Sequence, residues 1–163
     1  MASLDDVKQI EKLDLEKMGN DIAALPDQVE AGWQDFKGLT VPTHYVQAKN
    51  ILILGMGGSA IGGELAAALA GATATVPIEV RRDYGLPGYV GKDTLVIGVS
   101  YSGNTEETLD GFRQAATRGA KLLAVSTGGE ISSLARKFQI PVLSIDYGSQ
   151  PRAALGYIFM AVM

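Results

Sequence analysis

Ile51-Leu-Ile-Leu-Gly-Met-Gly-Gly-Ser59 is an apolar run that ends in glycines and a serine, and a helical pattern follows it. Leu95-Val-Ile-Gly-Val-Ser-Tyr-Ser-Gly-Asn-Thr105 repeats the arrangement with more hydroxyls. A strand–turn–helix junction leaves backbone N–H groups of the first helical turn unpaired and points the positive helix end at one place. Two such junctions on one parallel sheet, carrying hydroxyls and no basic residue, predict a cradle for a small phosphorylated ligand.

Around these junctions strands and helices alternate. Strands are predicted over 51–54, 77–80, 94–99, 121–126 and 141–145. Helices are predicted over 58–70, 104–118 and 130–137, with another beginning at 151 and running to 163. The strands are unbroken runs of Val, Ile and Leu rather than alternating patterns, as in strands covered on both faces. The fold class predicted is α/β, a doubly wound five-stranded parallel sheet of the flavodoxin-like three-layer kind, with N-terminal helices. Ligands on such sheets bind beyond the carboxyl ends of the strands, where strand order reverses. Both serine-bearing loops fall at those ends.

Upstream, residues 4–37 read as helices. Leu15, Met18, Ile22 and Leu25 recur at helical spacing, Pro26 punctuates, and Val29, Trp33 and Phe36 continue on a second helix. Residues 38–50 form a connection with a short extended piece at Tyr45 and Val46. The expected division is therefore an N-terminal helical segment, 1–49, and an α/β domain, 50–163. The last helix, from Ala153 onward, has no charged residue. Such a helix needs a partner surface, and the chain accordingly reads as a fragment of a longer protein.

Composition narrows the function. At 163 residues with 47% apolar and 20% charged residues, the chain can build one full core. A net charge of -4 gives no electrostatic footprint for nucleic acid or an anionic membrane. The absence of cysteine removes disulfides and thiolate chemistry and agrees with a cytoplasmic setting. Residues 51–72 are apolar enough to resemble a membrane span, but six glycines and Glu64 interrupt them. No signal-peptide pattern opens the chain.

The first loop fits the G-x-G-x-x-A pattern of dinucleotide sites, a weak signal alone. Arg81 and Arg82 follow the second strand, which leaves an NADP reading open. A phosphosugar reading uses Gly57 and Gly58 for close backbone approach and the Ser59 hydroxyl as a donor. A tight turn without a ligand is the plainest alternative. The second loop favours the phosphosugar: Ser100, Ser102 and Thr105 offer three hydroxyls at one helix start, where Asn104 or Ser102 would cap the helix and Glu107 would complete a capping box. Ser126-Thr-Gly128-Gly129 would add a wall of the site or simply turn the chain. Arg152, just after Pro151, reaches the same rim and could stabilise an oxyanion or enediolate, or stand free in solvent. Asp83 and Tyr84 read equally as ligand contacts or solvated loop residues. Glu106 and Glu107 read as first-turn carboxylates facing the helix dipole, with a general base as the lesser alternative. His44, the only histidine, lies before the first strand and reads as a surface residue sooner than a catalytic one. No metal-ligand spacing and no G-x-S-x-G elbow occur, so no metal or cofactor is expected.

Together these strings resemble the sugar isomerase (SIS) fold, and within it the bifunctional phosphoglucose/phosphomannose isomerase family. The carriers are Gly-Met-Gly-Gly-Ser, Arg-Asp-Tyr, Val-Ser-Tyr-Ser-Gly-Asn-Thr-Glu-Glu-Thr-Leu, Ser-Thr-Gly-Gly and Pro-Arg-Ala-Ala-Leu, in that order from about Asp14 to Met163. The resemblance implies two SIS subdomains, a homodimer and metal-free interconversion of glucose or mannose 6-phosphate with fructose 6-phosphate. It implies that Ser59, Ser100, Ser102 and Thr105, with Gly57 and Gly58, bind the phosphate, and that Arg152 stabilises the enediolate. The family's glutamate base, ring-opening histidine and late lysine, from its second subdomain, have no counterpart here. The expectation is an N-terminal SIS unit that binds hexose phosphate without completing the isomerisation. The alternatives are a non-catalytic sugar-phosphate sensor and an NADP-binding oxidoreductase domain.

Overall fold

The computed structural model describes residues 5–163. Five parallel strands, β1 (Asn50–Leu54), β2 (Ile78–Arg81), β3 (Thr94–Val99), β4 (Lys121–Ser126) and β5 (Val142–Ser144), lie in the order β2-β1-β3-β4-β5. The chain moves outward from β1 to β2 and returns to the other side of β1 as β3. That reversal opens a crevice above the carboxyl ends of β1 and β3. Register keeps those ends level, with Leu54 opposite Gly98.

Alternate strand residues feed two cores, as a sheet covered on both sides requires. On one face Leu52, Leu54, Val96, Leu122 and Ala124 pack with Phe112 and Ala115 of α5 (Glu106–Thr117) and Ile131 and Ala135 of α6 (Gly129–Lys137). On the other, Ile53, Ile97, Val99, Leu123 and Val125 pack with Ile158 and Ala161 of α7 (Leu155–Val162). Helix α4 (Gly57–Ala70) lies on this second face, where Gly63 stacks on Ile53 and Gly62 on Ile158. The three-layer arrangement agrees with the expected class.

The N-terminal helices differ in detail from expectation. There are three among the described residues, α1 (Val7–Leu13), α2 (Met18–Ala23) and α3 (Leu25–Phe36), and the expected start at residue 4 lies outside those residues. Asp14 breaks the run: its carboxylate accepts the Met18 and Gly19 N–H groups, each at 2.7 Å, and so starts a new helix. Leu15 and Ile22 are consequently exposed instead of forming a buried stripe. Helix α3 packs on α7, its Gly32 against Met160. Tyr45 and Val46 are not extended; they lie in a 3-10 helix, Thr43–Gln47, where the buried Tyr45 hydroxyl donates to the Leu122 carbonyl at 2.6 Å. The last helix starts at Leu155, four residues later than expected: residues 151–153 form a turn closed on the Gln150 carbonyl, and the Gly156 N–H goes to the Gln28 side chain instead of back to Arg152.

Candidate functional site

The two junctions meet above β1 and β3. Gly57 opens α4 with a φ of +50°, a left-handed conformation that a residue with a Cβ adopts only at a cost. The N-cap of α4 is Met56, and no side chain caps it. Ser59 and Ala60 N–H groups return to the Met56 carbonyl, and the Gly57 and Gly58 N–H groups have no partner among the described residues. Ser59 is buried, and its Oγ accepts the Tyr101 N–H at 3.2 Å. This bond ties the glycine turn to the hydroxyl loop across a sequence distance of 42 residues.

The hydroxyl loop is internally ordered. Ser100 Oγ lies 2.9 Å from Thr105 Oγ1 and accepts the Thr105 N–H at 3.3 Å. Ser102, exposed, accepts the Asn104 N–H at 3.3 Å and keeps lone pairs and a proton for other partners. Thr105 is half-buried in an extended conformation and forms the N-cap of α5 with no side-chain cap bond. The expected capping by Asn104 or Ser102 with Glu107 does not form. Asn104 turns its Oδ1 to the Glu130 N–H at 3.0 Å and so serves the start of α6 instead. The α5 start, uncapped by any side chain, leaves its positive end open to a ligand.

Ser126-Thr-Gly128-Gly129 closes one side. Gly103, at φ +75°, lies so near Gly128 that a Cβ there would stand 1.9 Å from the Gly128 carbonyl oxygen. Thr127 donates through both N–H (3.0 Å) and Oγ1 (2.7 Å) to the Tyr101 carbonyl. Tyr101 is thus fixed at both backbone ends. Burial pushes its phenol above the ordinary range, so it stays a neutral donor.

The Arg152 backbone lies against the first turn of α4. A Cβ on Gly58 would lie 2.8 Å from the Arg152 backbone nitrogen and 3.0 Å from its Cα. The glycine therefore lets the Arg152 turn sit directly on the first turn of α4. The guanidinium is exposed and has no hydrogen-bond or ion-pair partner among the described residues. The Gly57-Gly58-Ser59 turn thus lies against the Arg152 backbone on one side and is bonded through Ser59 to the loop of Ser100, Ser102 and Thr105 on the other; Gly57, Ser102 and Arg152 are exposed.

The other singled-out residues have different partners. Arg81 donates to the Tyr84 and Gly85 carbonyls, and Arg82 pairs with Glu64 at 2.6 Å. Both cations that an NADP phosphate would use are engaged. Glu106 accepts from the Tyr84 hydroxyl at 3.1 Å, a bond that raises the Tyr84 pKa. Asp83 accepts the Tyr84 N–H. His44 lies edge-on to Tyr45 at the start of the sheet, at the end away from the crevice. Among the described residues no group of three His, Asp or Glu could hold a metal ion, and no helix is long and apolar enough to cross a membrane.

Residues 44–151 match the SIS domain family. Over 139 residues the chain is 43% identical to a bifunctional phosphoglucose/phosphomannose isomerase of Caldicellulosiruptor bescii, covering 85% of this chain and 41% of that protein. A second relative of the same name, from Thermoplasma acidophilum, is 41% identical over 70% of this chain and 34% of its own length. The chain thus spans less than half the length of these relatives. Among solved structures, the C-terminal domain of glucosamine-fructose-6-phosphate aminotransferase from Francisella tularensis superposes with a TM-score of 0.63 at 19% identity, over 89% of this chain and 46% of that one. Vibrio vulnificus NanR, solved with ManNAc-6P, superposes with a TM-score of 0.59 at 18% identity, over 88% of this chain and 60% of that one. Both likenesses concern the fold. Because the matched segment runs from before β1 to the residue preceding Arg152 and takes in both junctions, this chain belongs to the SIS domain family.

Proposed function

We propose that the chain binds the phosphate of a hexose 6-phosphate and serves aldose–ketose isomerisation between glucose or mannose 6-phosphate and fructose 6-phosphate. The observation that supports this reading is the Ser59–Tyr101 bond, which joins a bare glycine turn to a triple-hydroxyl loop where strand order reverses. Phosphate oxygens accept from N–H and O–H donors at close range, and two uncapped helix starts supply a favourable field. Ser59, Ser100, Ser102 and Thr105, with the Gly57 and Gly58 backbone, form the grip. Ser59 and Ser100 order it from within, and Ser102 meets the ligand from the exposed rim.

Isomerisation moves a proton between C2 and C1 through an enediolate. Arg152 stabilises that negative charge from the rim opposite the hydroxyl loop. No general base is assigned among these residues. The two relatives named as phosphoglucose/phosphomannose isomerases support the substrate class. The 1–49 segment acts with the 50–163 domain as one unit through the packing of α3 on α7. The protein works in the cytoplasm as a homodimer. Support for the dimer is the apolar outer face of α4, where Ile61, Leu65 and Leu69 are exposed.

Thermal unfolding with added ligands tests the reading. Fructose 6-phosphate at about 100 times its Kd raises the apparent stability by about 2.7 kcal/mol, and NADP leaves Tm unchanged. Stabilisation by NADP and none by fructose 6-phosphate would overturn it in favour of a nucleotide site.

A further inference from the structure

The turn that carries Arg152 is held by residues far from both loops. Gln28, in the first turn of α3, is only 2% exposed although its side chain is polar. Its Nε2 donates to the Ala153 carbonyl at 2.8 Å, and its Oε1 accepts the Gly156 N–H at 3.1 Å. One amide thereby bonds both sides of the chain immediately after Arg152. It also replaces the missing side-chain cap of α7, whose N-cap is Ala154. Gly156 permits the approach: a Cβ there would stand 2.6 Å from Gln28 Cβ.

The stretch before Arg152 is tied in the same way. Asp21 of α2 accepts from the Tyr147 hydroxyl at 2.8 Å and from Ser149 Oγ at 3.0 Å. Gln150 donates to Glu16 at 2.9 Å. The Tyr101 hydroxyl donates to the Tyr147 carbonyl and accepts the Ser149 N–H, while its backbone N–H holds Ser59. A continuous set of bonds therefore runs from α2 and α3, through the Arg152 turn, to the hydroxyl loop. Gln28, Asp21 and Glu16 all lie outside the matched SIS residues 44–151.

We infer that Gln28 is a positioning residue for Arg152, with Asp21 in a lesser supporting part: the N-terminal helices fix the turn that presents the guanidinium to the crevice. This rests on the reading of Arg152 as the charge stabiliser. A buried amide is a costly way to fill space, because an apolar side chain would pack there without any requirement for partners. Its value lies in direction: the paired bonds to Ala153 and Gly156 fix the chain just after Arg152, and weaker ones from the same Nε2 to the Asp21 carbonyl and the Tyr147 hydroxyl, each at 3.3 Å, join it to the ties before Arg152.

The test compares Gln28→Met, which keeps volume and loses the amide, with Asp21→Ala and Arg152→Ala. Two ligands are titrated: inorganic phosphate, and a five-carbon aldonic acid 5-phosphate whose carboxylate copies the enediolate charge. Gln28→Met is expected to weaken the aldonate phosphate by about tenfold and inorganic phosphate by less than about twofold. Amide exchange at 149–156 accelerates while the β3 amides stay protected. Combined with Arg152→Ala, which causes the same aldonate loss alone, it adds no further loss. Additive losses, or equal weakening of both ligands, would reduce Gln28 to a stabilising role and overturn the inference. Asp21, half-buried, carries the test if Gln28→Met does not fold; it is expected to lose about threefold on the aldonate alone, and an unchanged ratio of the two ligands overturns the inference. If Arg152→Ala binds the aldonate as tightly as the parent chain, it is the Arg152 reading that fails, and the positioning role falls with it.

Discussion

The β1–α4 and β3–α5 junctions start from the same plan and use different chemistry. The first is stripped to backbone: Gly57 takes a left-handed turn and Gly58 admits the Arg152 turn at van der Waals contact. The second is built from side chains: Ser100, Ser102 and Thr105 present hydroxyls, two of them bonded to each other. One junction contributes fixed N–H groups, the other adjustable O–H groups. In the proposed reading a phosphate at their meeting point would receive both. The contrast also shows where each junction is fragile, since a backbone approach fails sterically and a hydroxyl grip fails chemically.

The largest expected effect comes from closing the two close approaches. Gly103→Ala places a Cβ 1.9 Å from the Gly128 oxygen at a φ of +75°, and a loss of about 3 kcal/mol or more in a denaturant melt is expected. Gly58→Ala meets the Arg152 backbone at 2.8 Å and is expected to cost about 1–3 kcal/mol. If Gly58→Ala proved neutral, the Arg152 turn would not be seated as described.

The next effect separates stability from binding within the hydroxyl loop. Ser100 is fully buried and bonds Thr105 twice, so Ser100→Ala is expected to cost about 1–2 kcal/mol of unfolding free energy. Ser102 is exposed; Ser102→Ala is expected to change stability by less than about 0.5 kcal/mol while weakening fructose 6-phosphate by about three- to tenfold in calorimetric titration. The opposite ranking would mean that Ser102, not Ser100, orders the loop.

The smallest effect concerns the loop after β2. Asp110 of α5 accepts the Gly85 N–H at 2.9 Å, and this bond, with one from Gln114, holds its pKa below the ordinary 3.8. A carboxylate whose folded pKa is depressed contributes stability that is present above the unfolded value and is lost as pH falls through the folded one. Amide exchange at Gly85 is therefore expected to lose protection in acid, below the ordinary aspartate range, before β1 and β3 do. Asp110→Asn would remove that pH dependence.

Most of the sheet was legible because its physics is local. The runs 94–99 and 121–126 coincide with β3 and β4, since strands covered on both faces must be apolar throughout. The N-terminal stripe misled because Leu15 and Ile22 have helical spacing yet stand exposed, while Asp14 restarts the helix between them. In the candidate site, the motifs named the two loops but not what orients them. Asn104 caps a helix 26 residues away, and Gln28 bonds Gly156 across 128. Such pairings leave no periodic trace. The one available sign was the polar Gln28 beside Gly32 on the side of α3 that turns inward, where an apolar stripe would otherwise continue.

The paired junctions are tested most directly by an amide-resolved NMR titration of the chain with fructose 6-phosphate. A phosphate grip predicts saturable shifts concentrated at Gly57, Gly58, Ser59, Ser102 and Gly103, reproduced in reduced form by inorganic phosphate. The contrary result would be shifts centred on the acidic cavity of about 560 Å³ lined by Glu16, Asp21 and Asp146, with the two glycine and hydroxyl loops unmoved.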